Sequence, residues 1–145
     1  MRQIDHIVLH CTAGPQSQTI DAIKNWWKTG LGWKQVGYHI LIKADGEAVR
    51  LAEDEVVTNG VKNHNARSIH ISYIGGVNKN GVAVDNRTPA QIATQLRLLR
   101  EYKEKYPAAR IVGHRDFLVP GKPGYKSCPS FSVRDFLTKH APELL

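Results

Sequence analysis

Two short apolar runs of this chain end in histidine: Ile7-Val8-Leu9-His10 and Ile111-Val112-Gly113-His114. Behind the second lies a Pro/Gly-rich loop that closes with Lys126-Ser127-Cys128-Pro129-Ser130-Phe131 and carries the later of the chain's two cysteines. Neutral imidazole and thiolate both suit zinc, so two strand-end histidines and a cysteine on the following loop make a candidate ligand set of His10, His114 and Cys128. Each residue alone has a plainer reading, because buried cysteines act as small hydrophobes and lone histidines usually find a hydrogen bond. Their combination points to a metal. Three protein ligands with an open fourth position describe a catalytic zinc site, whereas a closed site needs a fourth ligand, for which His6, His39, His64, His70 and His140 are available. No compact His-Glu-x-x-His motif decides between the two.

For His10 and His114 to meet, their strands must be parallel neighbours, with both histidines at the carboxyl ends where loops converge on a crevice. Ile4 to Cys11 reads as such a strand. Its alternation puts Ile7, Leu9 and Cys11 on one face and Val8 and His10 on the other. Cys11 therefore belongs to the core and should be neither ligand nor disulfide partner. Arg110 to Gly113 is the last strand. Between them, Gly37 to Lys43 and Ser68 to Ile74 read as strands, and Asp45-Gly46 signals a hairpin that returns through Ala48 to Leu51.

Helices alternate with these strands. Ser17 or Thr19 caps the first, whose Ile20, Ile23, Trp26 and Trp27 form an apolar stripe at helical spacing, ended by Gly30 and Gly32. The adjacent tryptophans invite a sugar-binding interpretation, but core packing is the simpler expectation. Thr88-Pro89-Ala90-Gln91 is a strong helix start, and Ile92, Leu96, Leu99 and Tyr102 hold one face as far as Tyr106 and Pro107. A closing helix opens at Ser132. Strands joined by one hairpin and by helical crossovers predict an α/β fold: a single domain over residues 1–145, with a central mixed β-sheet covered by helices.

Length and composition agree with one soluble domain and exclude disorder, a disulfide-dense scaffold and a membrane span. The net charge of +7 favours an anionic partner, but the basic residues are scattered and no recognition motif supports nucleic-acid binding. The first residues lack a charged segment followed by an apolar stretch, so the expectation is synthesis in the cytoplasm without a signal peptide. Any role outside the cell then needs release by another agent.

His10-Cys11-Thr12-Ala13, Gly37-Tyr38-His39, Asn65 with Ser68-Ile69, Gly113-His114 and Lys126-Ser127-Cys128-Pro129-Ser130-Phe131 occur in the order seen in phage-type N-acetylmuramoyl-L-alanine amidases. The chain resembles that family, zinc-dependent peptidoglycan hydrolases related in fold to peptidoglycan recognition proteins, from Ile4 to Phe136. The resemblance implies one Zn2+ ion on His10, His114 and Cys128, with Tyr38 and Lys126 as the catalytic pair and Asn65 as a substrate contact. It implies a bacteriolytic, endolysin-like amidase acting on the cell wall, whose substrate bond joins N-acetylmuramic acid to L-alanine of the stem peptide. Zinc would acidify water and polarise the amide carbonyl, while Tyr38 and Lys126 would stabilise the oxyanion or protonate the leaving amine.

Two positions depart from the family pattern. Gly60 stands where members often carry histidine, and His70 where they often read glycine after Ser-Ile. His64 is near but out of register. The loop from His114 to Cys128 is also long against the shortest phage members, which makes Lys122 the fallback for Lys126. The competing readings are a non-catalytic peptidoglycan-binding module of the same fold and a basic nucleic-acid binder with structural zinc. Non-catalytic relatives typically lack the metal cysteine, so Cys128 favours the enzyme.

Overall fold

The computed structural model describes residues 2–145. Its strands are β1 (His6–Cys11), β2 (Ile40–Ile42), β3 (Ala48–Arg50), β4 (Ser68–Tyr73) and β5 (Arg110–Gly113), in the sheet order β3-β2-β4-β1-β5. β1 runs parallel to β4 and β5, β2 runs parallel to β4, and the Asp45-Gly46 turn returns β3 antiparallel to β2. This is the expected mixed sheet, with β1 and β2 shorter than the apolar runs that announced them.

Three capped helices cover it. α1 (Ile20–Asn25) starts at Thr19, whose hydroxyl accepts the Ala22 N–H. α2 (Pro89–Lys105) has the full Thr88/Gln91 capping box, and α3 (Val133–His140) is capped by Ser132. Alternation along the strands divides the interior in two. Ile7, Leu9 and Cys11 of β1 and Ile69, Ile71 and Tyr73 of β4 pack with Leu98, Leu99 and Tyr102 of α2 and with Phe136 and Leu137 of α3. On the other face, Leu41 and Ile74 meet Ile23 and Trp27 from the α1 side. Each such aliphatic side chain removed from water contributes about 1.5–3 kcal/mol. His10 points to this second, thinner side, which leaves room for a cleft.

Two helix faces differ from expectation. Past Asn25 the first helix widens into a π-helical turn, Trp26–Gly30, in which the Leu31 N–H bonds to the Trp26 carbonyl. Trp26 itself is still placed by α-helical bonding, its N–H reaching the Ala22 carbonyl, and is 58% exposed, while Trp27 is buried at 6%. The expected core pair is thus one core residue and one surface residue. In α2, Gln91 and Gln95 are buried ahead of the partly buried Ile92 and Leu96. Gln91 Nε2 donates to the Ile42 and Ile74 carbonyls at 3.3 and 3.0 Å, and the glutamine faces inward because the Ile74 carbonyl needs a donor there, the Ile42 carbonyl also accepting the Ile74 N–H.

Candidate active site

Parallel pairing of β1 with β5 brings the two strand-end histidines together, with the His10 and His114 ring centroids 5.0 Å apart. Cys128 returns to them from its loop. Ligand atoms of His10, His114 and Cys128 all lie within 4.8 Å of one another, and among the described residues this is the group able to hold a metal ion. The histidines available for a fourth position are elsewhere: His6 and His64 pack on Phe117, His140 on Phe136, and His39 bonds to the Val56 carbonyl. His70 lies behind His10 and does not join the set.

The loop is held at several points. The Arg115 N–H donates to the Cys128 carbonyl at 2.9 Å, the Tyr73 hydroxyl to the Pro129 carbonyl at 2.7 Å, and Ser130 Oγ to the Gly76 carbonyl at 2.8 Å. Pro129 sits on Gly113, where an added Cβ would come within 2.8 Å of the proline ring. Any side chain at position 113 would push the cysteine away from the histidines.

Electrostatics prepare the donors. Burial drives the His10 imidazole well below its usual range, helped by charge at His70, His114 and Lys126. Burial and then Lys126 bring His114 down to about 4. Both rings are therefore neutral near pH 7 and offer lone pairs. Burial pushes the Cys128 thiol well up, as does its hydrogen bond with Cys11, so the sulfur needs a cation to ionise. Its Sγ lies 3.8 Å from His10 Nδ1 and accepts the Cys11 N–H at 3.2 Å. Two neutral imidazoles and one ionisable sulfur are a donor set that fits zinc.

Around them is a cleft of about 230 Å³, lined by Tyr38, Lys126, Gly60 and the tryptophans Trp26, Trp27 and Trp33. The Tyr38 ring is 5.0 Å from that of His10, and its hydroxyl donates to the Cys11 carbonyl at 3.3 Å. Burial, then the neighbouring cysteines, raise the Tyr38 pKa far above its usual value, so it stays a proton donor. Lys126 is exposed on the cleft wall, and Lys122 does not line it. Asn65 does not line the cleft either. Its Oδ1 is engaged inside the protein, accepting the Val61 N–H at 2.8 Å and facing His70 Nε2 at 2.9 Å.

His70, available by sequence as a fourth ligand, instead sits behind a candidate ligand, a position the sequence did not reveal. Its Nδ1 meets His10 Nε2 at 2.8 Å. The signal was present as a polar alternation, Ser68, His70 and Ser72, in a strand whose every residue is buried. The two departures from the family pattern also touch: a Cβ on Gly60 would lie 2.3 Å from His70 Nδ1. The imidazole at position 70 requires the glycine at position 60.

A family model described as N-acetylmuramoyl-L-alanine amidase matches residues 1–131. The endolysin of Klebsiella phage KP32 is 31% identical over 141 residues, which are 96% of this chain and 89% of that protein. The solved Ph2119 endolysin from Thermus scotoductus MAT2119 bacteriophage Ph2119 aligns with a TM-score of 0.78 at 26% identity, over 95% of this chain and 85% of that one. Drosophila PGRP-LB, at 16% identity, shares the fold with a TM-score of 0.74 over 97% of this chain and 83% of its own.

Proposed function

The chain belongs to the N-acetylmuramoyl-L-alanine amidase family of peptidoglycan hydrolases, and on that premise we propose that it cleaves the amide between N-acetylmuramic acid and L-alanine through Tyr38 and Lys126, beside one zinc ion that His10, His114 and Cys128 would hold. The observation that supports this reading is the placement of Tyr38 and Lys126 in the same cleft as the three clustered donor side chains. Bound there, zinc supplies Lewis-acid chemistry, polarising an amide carbonyl and acidifying water. The remaining steps belong to the chain. His10 and His114, neutral through burial, hold the ion without repelling it. Tyr38, kept protonated by burial, offers its hydroxyl hydrogen to the oxygen on which negative charge develops. Lys126 adds positive charge at the open side of the cleft and can hand a proton to the leaving amine. The exposed Trp26 and half-buried Trp33 form an apolar wall against which a sugar or peptide can lie. The enzyme is read as made in the cytoplasm and acting on the cell wall after release.

Kinetics of single variants test the roles. Tyr38→Phe and Lys126→Ala should each keep fold and zinc while kcat falls about 10²–10³-fold, the scale for one oxyanion donor, with KM little changed. Lys122→Ala should turn over like the wild type. Near-wild-type turnover in both Tyr38→Phe and Lys126→Ala would contradict the assignment.

A further inference from the structure

We propose that His70 is a positioning residue for the metal centre: with Asn65 it forms a hydrogen-bond relay that fixes the ring orientation and tautomer of His10, so that His10 Nδ1 faces the metal as a bare lone pair. The inference rests on the metal reading given above and goes beyond it, because no ligand or catalytic role assigned there involves position 70.

The relay is anchored at a backbone group. The Val61 N–H can only donate, and it donates to Asn65 Oδ1, which fixes the orientation of the Asn65 amide and makes that oxygen an acceptor. His70 Nε2 faces the same oxygen at 2.9 Å, so Nε2 must carry a proton. In a neutral imidazole the other nitrogen is then an acceptor. That nitrogen, Nδ1, lies 2.8 Å from His10 Nε2, which must therefore be the donor. With its proton on Nε2, His10 keeps a free lone pair on Nδ1, the atom that lies 3.8 Å from Cys128 Sγ on the cleft side.

Packing holds the relay in place. The His70 backbone N–H donates to His39 Nδ1 at 3.0 Å, and the two rings stack with centroids 6.1 Å apart. Gly60 presses on the third side, where even a methyl group would collide with the ring. A hydrogen bond to the outer nitrogen of a ligating histidine usually raises its basicity, and its loss costs about 10–100-fold in metal affinity.

The test is zinc affinity of the purified protein, measured by competition with a chromophoric chelator, for wild type, His70→Ala and His70→Asn. The alanine variant should bind about 10–100-fold more weakly. Asparagine places its Oδ1 where the imidazole Nδ1 sat, so His70→Asn should recover most of that loss. Gly60→Ala should weaken binding in the same direction by displacing the ring. Imidazole nitrogen NMR of the wild-type protein gives an independent readout that does not depend on any variant folding. It should show the ring proton of His10 on Nε2 and that of His70 on Nε2. A folded His70→Ala with wild-type affinity, or a His10 proton on Nδ1, overturns the relay alone. A wild-type protein that binds no zinc overturns the metal reading and the relay with it.

Discussion

At the residue scale, the two cysteines are neighbours with different work. Cys11 sits in the core, 4% exposed, beside Ile7, Leu9 and Tyr73, while its backbone N–H supports the sulfur of Cys128. Cys128→Ser exchanges a soft sulfur for a weakly acidic hydroxyl, so elemental analysis should find most of the zinc gone. Full zinc occupancy in that variant would remove Cys128 from the ligand set. Cys11→Ala retains the backbone donor and should keep zinc and turnover, losing about 1 kcal/mol of stability from the small cavity. An intramolecular Cys11–Cys128 disulfide in peptide maps of the native protein would contradict both expectations.

At the element scale, the strand ends carry the site and the helices carry stability. Trp27→Ala should cost about 3–5 kcal/mol in chemical denaturation, whereas Trp26→Ala, on the outward side of the π-helical turn, should stay within about 0.5 kcal/mol. Equal losses in the two variants would contradict this division into one surface and one core tryptophan. Gln91→Ala strips the buried Ile74 carbonyl and the Thr88 N–H of their partner, leaves the Ile42 carbonyl only its bond from the Ile74 N–H, and should cost about 1–3 kcal/mol or more. Alternation and capping signals made β1, β5, the hairpin and α2 legible in the sequence, and with them the meeting of His10 and His114. The exposure of Trp26 was not legible, because neighbouring helix positions point about 100° apart and apolarity alone does not say which of two adjacent tryptophans faces the core. Nor was His70, since its value depends on a partner in β1 whose register appears only when the sheet is assembled. Cys128 was legible as a ligand type, but its arrival depends on a loop seated against Gly113, a contact between residues far apart in the chain.

At the scale of the whole molecule, the neutral buried histidines set how the metal-free protein responds to acid. Burial first, then charge on its neighbours, holds His70 near a pKa of about 3 in the fold, against 6.5 for the unperturbed ring. The unfolded chain therefore takes up the proton first. Stability is complete above pH 6.5 and declines as pH falls towards the folded value, by about 1.4 kcal/mol per pH unit for such a group. His10, His39 and His114 are shifted the same way, mainly by burial. Urea midpoints of the metal-free protein should fall steadily from pH 7 to pH 4.5, and a flat profile would contradict the neutral buried rings. The net charge of +7 gives attraction to an anionic wall polymer, so association with it should weaken as salt rises. On the reading proposed above, the cleft around His10, His114 and Cys128 cuts one amide bond of that polymer. Mass analysis of purified peptidoglycan digested by the zinc-loaded protein tests it most directly. The expected products are free stem peptides beginning at L-alanine and intact glycan strands. New reducing sugar ends with the stem peptides still attached, or no release of peptide at all, would contradict it.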